Sequence, residues 1–81
     1  MKPRQLEAQL ESLHEVSFGW ALSCCGHDRT EAEDVLQTTY LKIITGKARF
    51  GGRSSFKTWL FRMASRLAIN RLRKTTRREK L

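Results

Sequence analysis

Apolar residues return at helical spacing in three stretches of this chain. In the first, Leu6, Leu10, Leu13, Ala21 and Trp20 or Cys24 fall near one face, while Glu7, Glu11 and Glu15 recur every four residues on the other. Pro3 suits a first helical turn, where its missing N–H is no loss. Gly26-His27-Asp28 stops the run, so helix is expected over about residues 4–25. In the second stretch Val35, Leu36, Tyr40, Ile43 and Ile44 share a stripe that Gly46 ends. Thr30-Glu31-Ala32-Glu33 has the Thr-x-x-Glu form of a capping box, in which hydroxyl and carboxylate satisfy orphan backbone N–H groups. Asp34 adds negative charge near the positive end of the helix dipole. This predicts a second helix over about 31–45.

Residues 46–55 form a connection with three glycines and three cations, in which Ser54 or Ser55 can cap the next helix. From Phe56 to Lys74 there is neither Gly nor Pro, and a third helix is expected over about 55–75, with a basic tail fraying over 75–81. At about 100° per residue, Arg62, Arg73, Arg66, Trp59 and Asn70 lie within a strip roughly 80° wide. Met63, Phe56, Leu67, Leu60, Ala64, Ala68, Phe61 and Leu72 fill a broad arc elsewhere, interrupted by Lys57 and Arg71. The apolar arc packs on the first two helices. What remains outside is a ridge of arginines with an amide and an indole. The fold class is all-α, a small bundle of three to four helices.

Charge sharpens this picture. From Arg49 onward there are eleven Lys or Arg and one acid, a net +10. Residues 1–48 hold five Lys or Arg against seven acids, a net −2, and together these give the +8 of the whole chain. A block so basic attracts phosphates and releases their counterions on contact. Cations that track a backbone, with an aromatic ring between them, form the pattern that holds single-stranded nucleic acid. The Phe50–Ser55 loop adds glycines for close approach, serine hydroxyls and the charges of Arg49 and Arg53. It is not a P-loop, since no Gly-Lys-Ser/Thr follows at the needed spacing.

Other chemistries find less support. At 81 residues the chain is a single domain. It has no apolar run of about 18 residues and no apolar leader at its start, which favours a cytoplasmic setting without membrane. Cys24 and Cys25 are adjacent, a poor geometry for a mutual disulfide. With His27 and His14 they suggest zinc, but the Cys-x-x-Cys spacing is missing, so no metal or cofactor is expected. No nucleophile–base pair or carboxylate pair stands out, and neither an enzyme nor a small-molecule substrate is expected. Asp34 and Gln37 sit on adjacent turns away from the apolar stripe, where a partner's arginine or amide could meet them.

The chain resembles a known family in three consecutive blocks. These are Ala32-Glu33-Asp34-Val35-Leu36-Gln37-Thr38-Thr39-Tyr40-Leu41-Lys42, then Phe50-Gly51-Gly52-Arg53-Ser54-Ser55-Phe56-Lys57-Thr58-Trp59-Leu60-Phe61-Arg62-Met63-Ala64, then Leu67-Ala68-Ile69-Asn70-Arg71-Leu72-Arg73. In this order they look like region 2 of a sigma-70-type factor of the extracytoplasmic-function group, over roughly Glu31 to Arg78. The Phe-x-Gly-x-Ser-x-x-x-Thr-Trp-Leu core is its most specific part.

The resemblance implies a helical domain that docks on the β′ clamp helices of core RNA polymerase through Asp34, Gln37, Thr38 and Leu41. A Glu usually follows the Gln, and Thr38 stands here instead. It further implies that the promoter −10 element is recognised and opened, the non-template strand being held by Arg49, Phe50, Arg53, Ser54, Ser55, Phe56, Lys57, Trp59, Arg62, Arg66, Asn70 and Arg73. The loop from Phe50 to Phe56 would capture a flipped base beside Trp59 and Arg62. Many members carry Asn where this chain has Arg66, so the base preference does not carry over. An anti-sigma factor is a further implied partner. Family members continue into a second domain that reads the −35 element, and a chain stopping at Leu81 is expected to be an excised domain.

Two other functions fit parts of the pattern. A small helix-turn-helix protein would read duplex DNA, although the ten-residue glycine-rich connection is long for such a turn. A protein-interaction module without DNA contact would tolerate Arg62→Glu with Arg66→Glu and fail on Gln37→Ala.

Overall fold

The computed structural model describes the backbone of residues 3–79 and the side chains of residues 4–73. Four helices follow in order: α1 Pro3–Ser12, α2 His14–Cys24, α3 Arg29–Ile44 and α4 Phe56–Glu79. No strand occurs among the described residues. The upper end of the expected three to four helices is the one realised.

The first expected helix is broken at Leu13, which takes φ −100° and ψ 2°. Neither Gly nor Pro stands there. Instead the Ser12 hydroxyl donates to the Gln9 carbonyl at 2.9 Å, competing locally with the backbone ladder. The ladder nevertheless runs on, from Leu13 N–H to Gln9 O and from Ser17 N–H to Leu13 O. The break is therefore a bend in an almost continuous rod. It lets α1 lie on α3 while α2 packs on both α3 and α4, which also meet each other.

α2 ends in a Schellman arrangement. Gly26 adopts φ 61° and the His27 N–H reaches back to the Leu22 carbonyl at 2.7 Å. His27 is itself left-handed at φ 65°, a conformation uncommon outside glycine that histidine adopts more readily than most residues. That turn delivers Asp28 in an extended conformation, and its carboxylate accepts from the Glu31 N–H at 3.1 Å. The N-cap of α3 is thus Asp28, and the capping box expected at Thr30 does not form. Both residues satisfy the local rule, and the preceding turn chooses between them.

The start of α4 agrees with expectation. Ser55 is its cap: its hydroxyl accepts from the Thr58 N–H at 3.1 Å, and its carbonyl from the Trp59 N–H. α4 continues to Glu79, beyond the end expected near 75. The charges of the expected basic tail lie outside the described side chains, and residues 80–81 outside the described chain.

The buried side chains group in three clusters. Leu10, Ile43, Phe56 and Leu60 form one, with Leu6, Leu13, Tyr40, Phe50, Trp59 and Met63 packed on it. Ala21, Ala32 and Leu36 form the second, under Phe18 and Leu22. Val35, Ala64 and Ala68 form the third, against Cys24, Cys25 and Leu67. Four of these residues are alanines, one on each of α2 and α3 and two on α4, so the helix axes can approach closely. Thr39, buried with them, donates its hydroxyl to the Val35 carbonyl at 2.7 Å and so leaves no unmet donor.

Candidate nucleic-acid interface

α4 buries one side and presents the other. Phe56, Leu60, Ala64 and Ala68 are buried, whereas Arg62, Arg66, Asn70 and Arg73 are all exposed. From Arg62 to Arg73 this ridge runs about 16 Å along the helix. Lys57, which interrupts the apolar arc on a helical wheel, is also exposed, and its Nζ stands 5.7 Å over the Phe61 ring.

Arg71 explains the other interruption. It turns back across the bundle, its Nε 3.2 Å from Glu31 Oε2 and its Nη2 3.4 Å from Asp34 Oδ2. One cation of α4 is therefore spent inside the domain, holding its C-terminal half to the first turns of α3. Asp34 receives an arginine, as its position suggested, but here from its own chain. With side chains between a third and a half exposed, these pairs are each worth at most about 1 kcal/mol.

Trp59 departs from the open platform expected on the ridge. It is half-buried, with ring centroids 5.3 Å from Phe50 and 5.5 Å from Phe56. Phe50 and Phe56 meet edge-on at 5.6 Å, completing a triangle of rings. The large apolar area of an indole favours this nest over a fully wet position. Phe56 is a second correction: at 8% exposure its ring belongs to the core and offers no surface to a strand. The same side carries a groove of about 560 Å³, lined by Leu6, Ile43, Ile44, Ala48, Arg49, Phe50 and Trp59. Trp59 and Phe50 form part of its wall.

In the loop, Arg49, Arg53 and Ser55 are exposed and Ser54 is half-buried. Gly52 takes φ 76°, a turn that L side chains rarely make. Ser55 already uses its hydroxyl at the helix start, where it also donates to Thr58 Oγ1 at 2.8 Å. Its hydroxyl is structural in this state, and the loop charges remain the groups open to a phosphate.

On α3, Gln37 and Leu41 are exposed one turn apart, with Thr38 half-buried beside them. Leu41 is 56% exposed and Ile44, three residues on, is 51% exposed, a large aliphatic surface beside the polar Gln37 and Thr38. Gln37 also borders an open groove lined by His14, Phe18, Arg29, Leu36 and Tyr40. There His14 Nδ1 and the Tyr40 hydroxyl are 3.1 Å apart, and burial pushes the Tyr40 phenol above its ordinary range.

The cysteines and histidines do not converge. His14 is engaged with Tyr40, while Cys24 Sγ lies 3.6 Å from Ser65 Oγ at the other end of α2. Burial first, then the Glu31 charge, raises the Cys25 pKa, which keeps the thiol protonated and a poor ligand or nucleophile. Among the described residues no group of three or more His, Cys, Asp or Glu is placed to hold a metal ion. No described helix is long and apolar enough to cross a membrane.

One side chain escapes a reading by pattern alone. Trp20 is 41% exposed, stacked on Phe61 at 5.0 Å and 14°, with its N–H donated to Ser65 Oγ at 2.9 Å and the Phe61 carbonyl at 3.2 Å. Its ambiguity with Cys24 for the buried face of the first helix is the only signal the sequence offers.

Comparison with known proteins gives these surfaces a context. The sigma-70 region 2 family matches residues 10–78. The chain is 43% identical over 47 residues to the ECF RNA polymerase sigma factor SigX of Bacillus subtilis, covering 58% of this chain and 24% of that protein. It is 44% identical over 46 residues to the RNA polymerase sigma-H factor of Pseudomonas aeruginosa, covering 57% and 24%. It is 41% identical over 44 residues to the RNA polymerase sigma factor YlaC of Bacillus subtilis, covering 54% and 25%. The matches thus span about a quarter of the length of these curated relatives. No solved structure matches significantly. An all-helical bundle, the three sequence blocks and a match over most of its length agree: the chain belongs to the sigma-70 region 2 family, whose members are transcription initiation factors and not enzymes.

Proposed function

We propose that this domain moors to the β′ clamp helices of core RNA polymerase through α3 and holds the non-template strand of the promoter −10 element along α4 and the loop before it. The observation that carries the reading is the exposure of Arg62, Arg66, Asn70 and Arg73 on one face of α4 while Gln37 and Leu41 stay exposed on α3. Two functional faces are then available at once on one rigid bundle.

The mechanism follows from where binding energy is gained. Extruding a base from a duplex costs on the order of a few kcal/mol in stacking and pairing. Arg62, Arg66 and Arg73, with Arg49 and Arg53 in the loop, attract backbone phosphates of either duplex or single strand. Selectivity for the separated strand needs surfaces that only an unstacked base can use. The wall of Phe50 and Trp59 beside Arg49 is such a surface, and Asn70 supplies an amide that can read a base edge. The melted state is favoured because it gains these contacts while mooring to the polymerase supplies the remainder. Docking would use Gln37 and Thr38 for hydrogen bonds and Leu41 for apolar contact, with Asp34 already oriented by Arg71. The setting is cytoplasmic, and an anti-sigma protein would silence the domain by covering α3 and α4.

The test is co-purification of the chain with a β′ clamp-helix fragment, combined with binding to single-stranded and duplex −10 oligonucleotides. Gln37→Ala is expected to weaken the complex, and the single strand to be preferred over duplex. Tight sequence-specific binding to duplex by the lone domain would favour a duplex reader instead.

A further inference from the structure

We propose that Trp20 is a stacking platform for an unpaired nucleobase, so that a strand held on the arginine ridge touches α2 as well as α4. The inference rests on the strand-holding role of that ridge and extends it to a helix and a residue to which the family resemblance assigns no contact with DNA.

The argument begins with position. On α4, Thr58, Ser65 and Ile69 lie on the flank of Arg62 opposite Trp59, at about 100° per residue. Across that flank stands Trp20 of α2, and the two helices enclose an open groove of about 460 Å³ lined by Trp20, Thr58, Phe61, Arg62, Ser65, Arg66 and Ile69. The groove therefore shares Arg62 and Arg66 with the ridge itself.

Trp20 is held rigidly. Phe61 stacks against it, and the indole N–H is already donated to Ser65 Oγ and the Phe61 carbonyl. With its one polar group engaged, what it leaves to solvent is ring surface. A tryptophan that served only to pin α2 to α4 would gain by burying that surface, yet 41% of the residue is exposed. Ile69, half exposed, adds an apolar wall beside it.

Charge identifies the occupant. The lining holds two arginines and no acid, so it favours an anionic ligand with apolar, flat parts. An unpaired strand offers both, its phosphates to Arg62 and Arg66 and a base to the indole. A base inside a duplex has no free face, so the platform discriminates between the two forms of DNA.

The test uses the full chain and single-stranded DNA of roughly 12 nucleotides at about 50 mM salt. Strands bearing 5-iodouracil at successive positions are crosslinked to the wild-type chain and the adducts located by mass spectrometry. At least one position should crosslink to Trp20. Fluorescence anisotropy should then show about tenfold weaker binding for Trp20→Leu, which keeps apolar bulk, and a loss within about threefold for Trp20→Phe, which keeps a ring. Circular dichroism confirms that each variant is folded, and the crosslink decides the matter if Trp20→Leu is not. Absence of a Trp20 adduct, with Trp20→Leu binding like wild type while Arg62→Glu with Arg66→Glu binds weakly, overturns the inference and leaves the ridge standing. A wild-type chain that holds no single strand overturns both. Loss of polymerase co-purification in Trp20→Leu with strand binding intact would assign the groove to a protein and likewise overturn it.

Discussion

Trp20 and Trp59 stand on opposite flanks of the same arginine ridge and are treated in opposite ways. Around Trp59 the Phe50 and Phe56 rings close in, and the indole becomes part of the Leu10–Ile43–Leu60 cluster. Around Trp20 only Phe61 stacks, the N–H is tied down, and the ring stays at the surface. The sequence neighbourhoods suggest the reverse, since Trp59 falls among arginines and Trp20 among apolar residues. What an aromatic side chain does is decided by how many of its faces its neighbours cover, and those neighbours come from distant parts of the chain.

The sharpest way to break the contrast is stability. Trp59→Ala should cost about 3 kcal/mol, because it empties a ring nest in the core. Trp20→Ala should cost about half as much, chiefly the ring pair and one hydrogen bond. Urea denaturation of both variants measures this, and equal losses would erase the distinction between closed and open flanks.

The ridge between the flanks should respond in binding and not in folding. Arg62→Glu with Arg66→Glu is expected to weaken single-strand binding about a hundredfold with little change in the urea midpoint. The slope of log affinity against log salt should fall by about 1.4, the value for two phosphates left without a cation. Titrations at several salt concentrations check both.

A smaller effect concerns the helix that both flanks rest on. Asp28→Ala should destabilise the domain by about 1 kcal/mol, while Thr30→Ala should be nearly neutral. Thermal melts of the two variants decide between them, and a larger loss at Thr30 would reinstate the capping box. Smallest of all, Arg71→Ala should cost less than about 1 kcal/mol, a difference that fades in high salt. That result would mark Arg71, the arginine turned inward, off from those turned outward.

Much of this architecture is legible in the residues themselves. The apolar returns of Val35, Leu36 and Ile43, the arc of Leu60, Ala64 and Ala68, and a serine cap at Ser54 or Ser55 all follow from period and local chemistry, which short segments carry. The exposure of Arg62, Arg66 and Asn70 follows too, because it is simply the complement of that arc. The bend at Leu13 is hidden because a serine hydroxyl competing for one carbonyl has no distinctive pattern. The Asp28 cap is hidden because it depends on His27 following Gly26 into the left-handed region, a backbone state set by the whole turn. Arg71 looks like an error in an apolar arc until α3 is seen to supply two carboxylates opposite it. In each case the missing information is a contact between residues far apart in sequence, or a backbone state that neighbouring residues impose.

The alanines at the helix contacts have a consequence for how this domain serves a larger machine. Ala21, Ala32, Ala64 and Ala68 bring small, inflexible side chains to the helix contacts, beside Leu36 in one cluster and Val35 in another. Where Val35 meets Ala64 and Ala68, the offset between the outer faces of α3 and α4 is set as by a gauge block, by short side chains with little freedom to flex. Whatever grips one face receives the other at a preset spacing, and a single Ala64→Leu change would throw that calibration off without touching either surface.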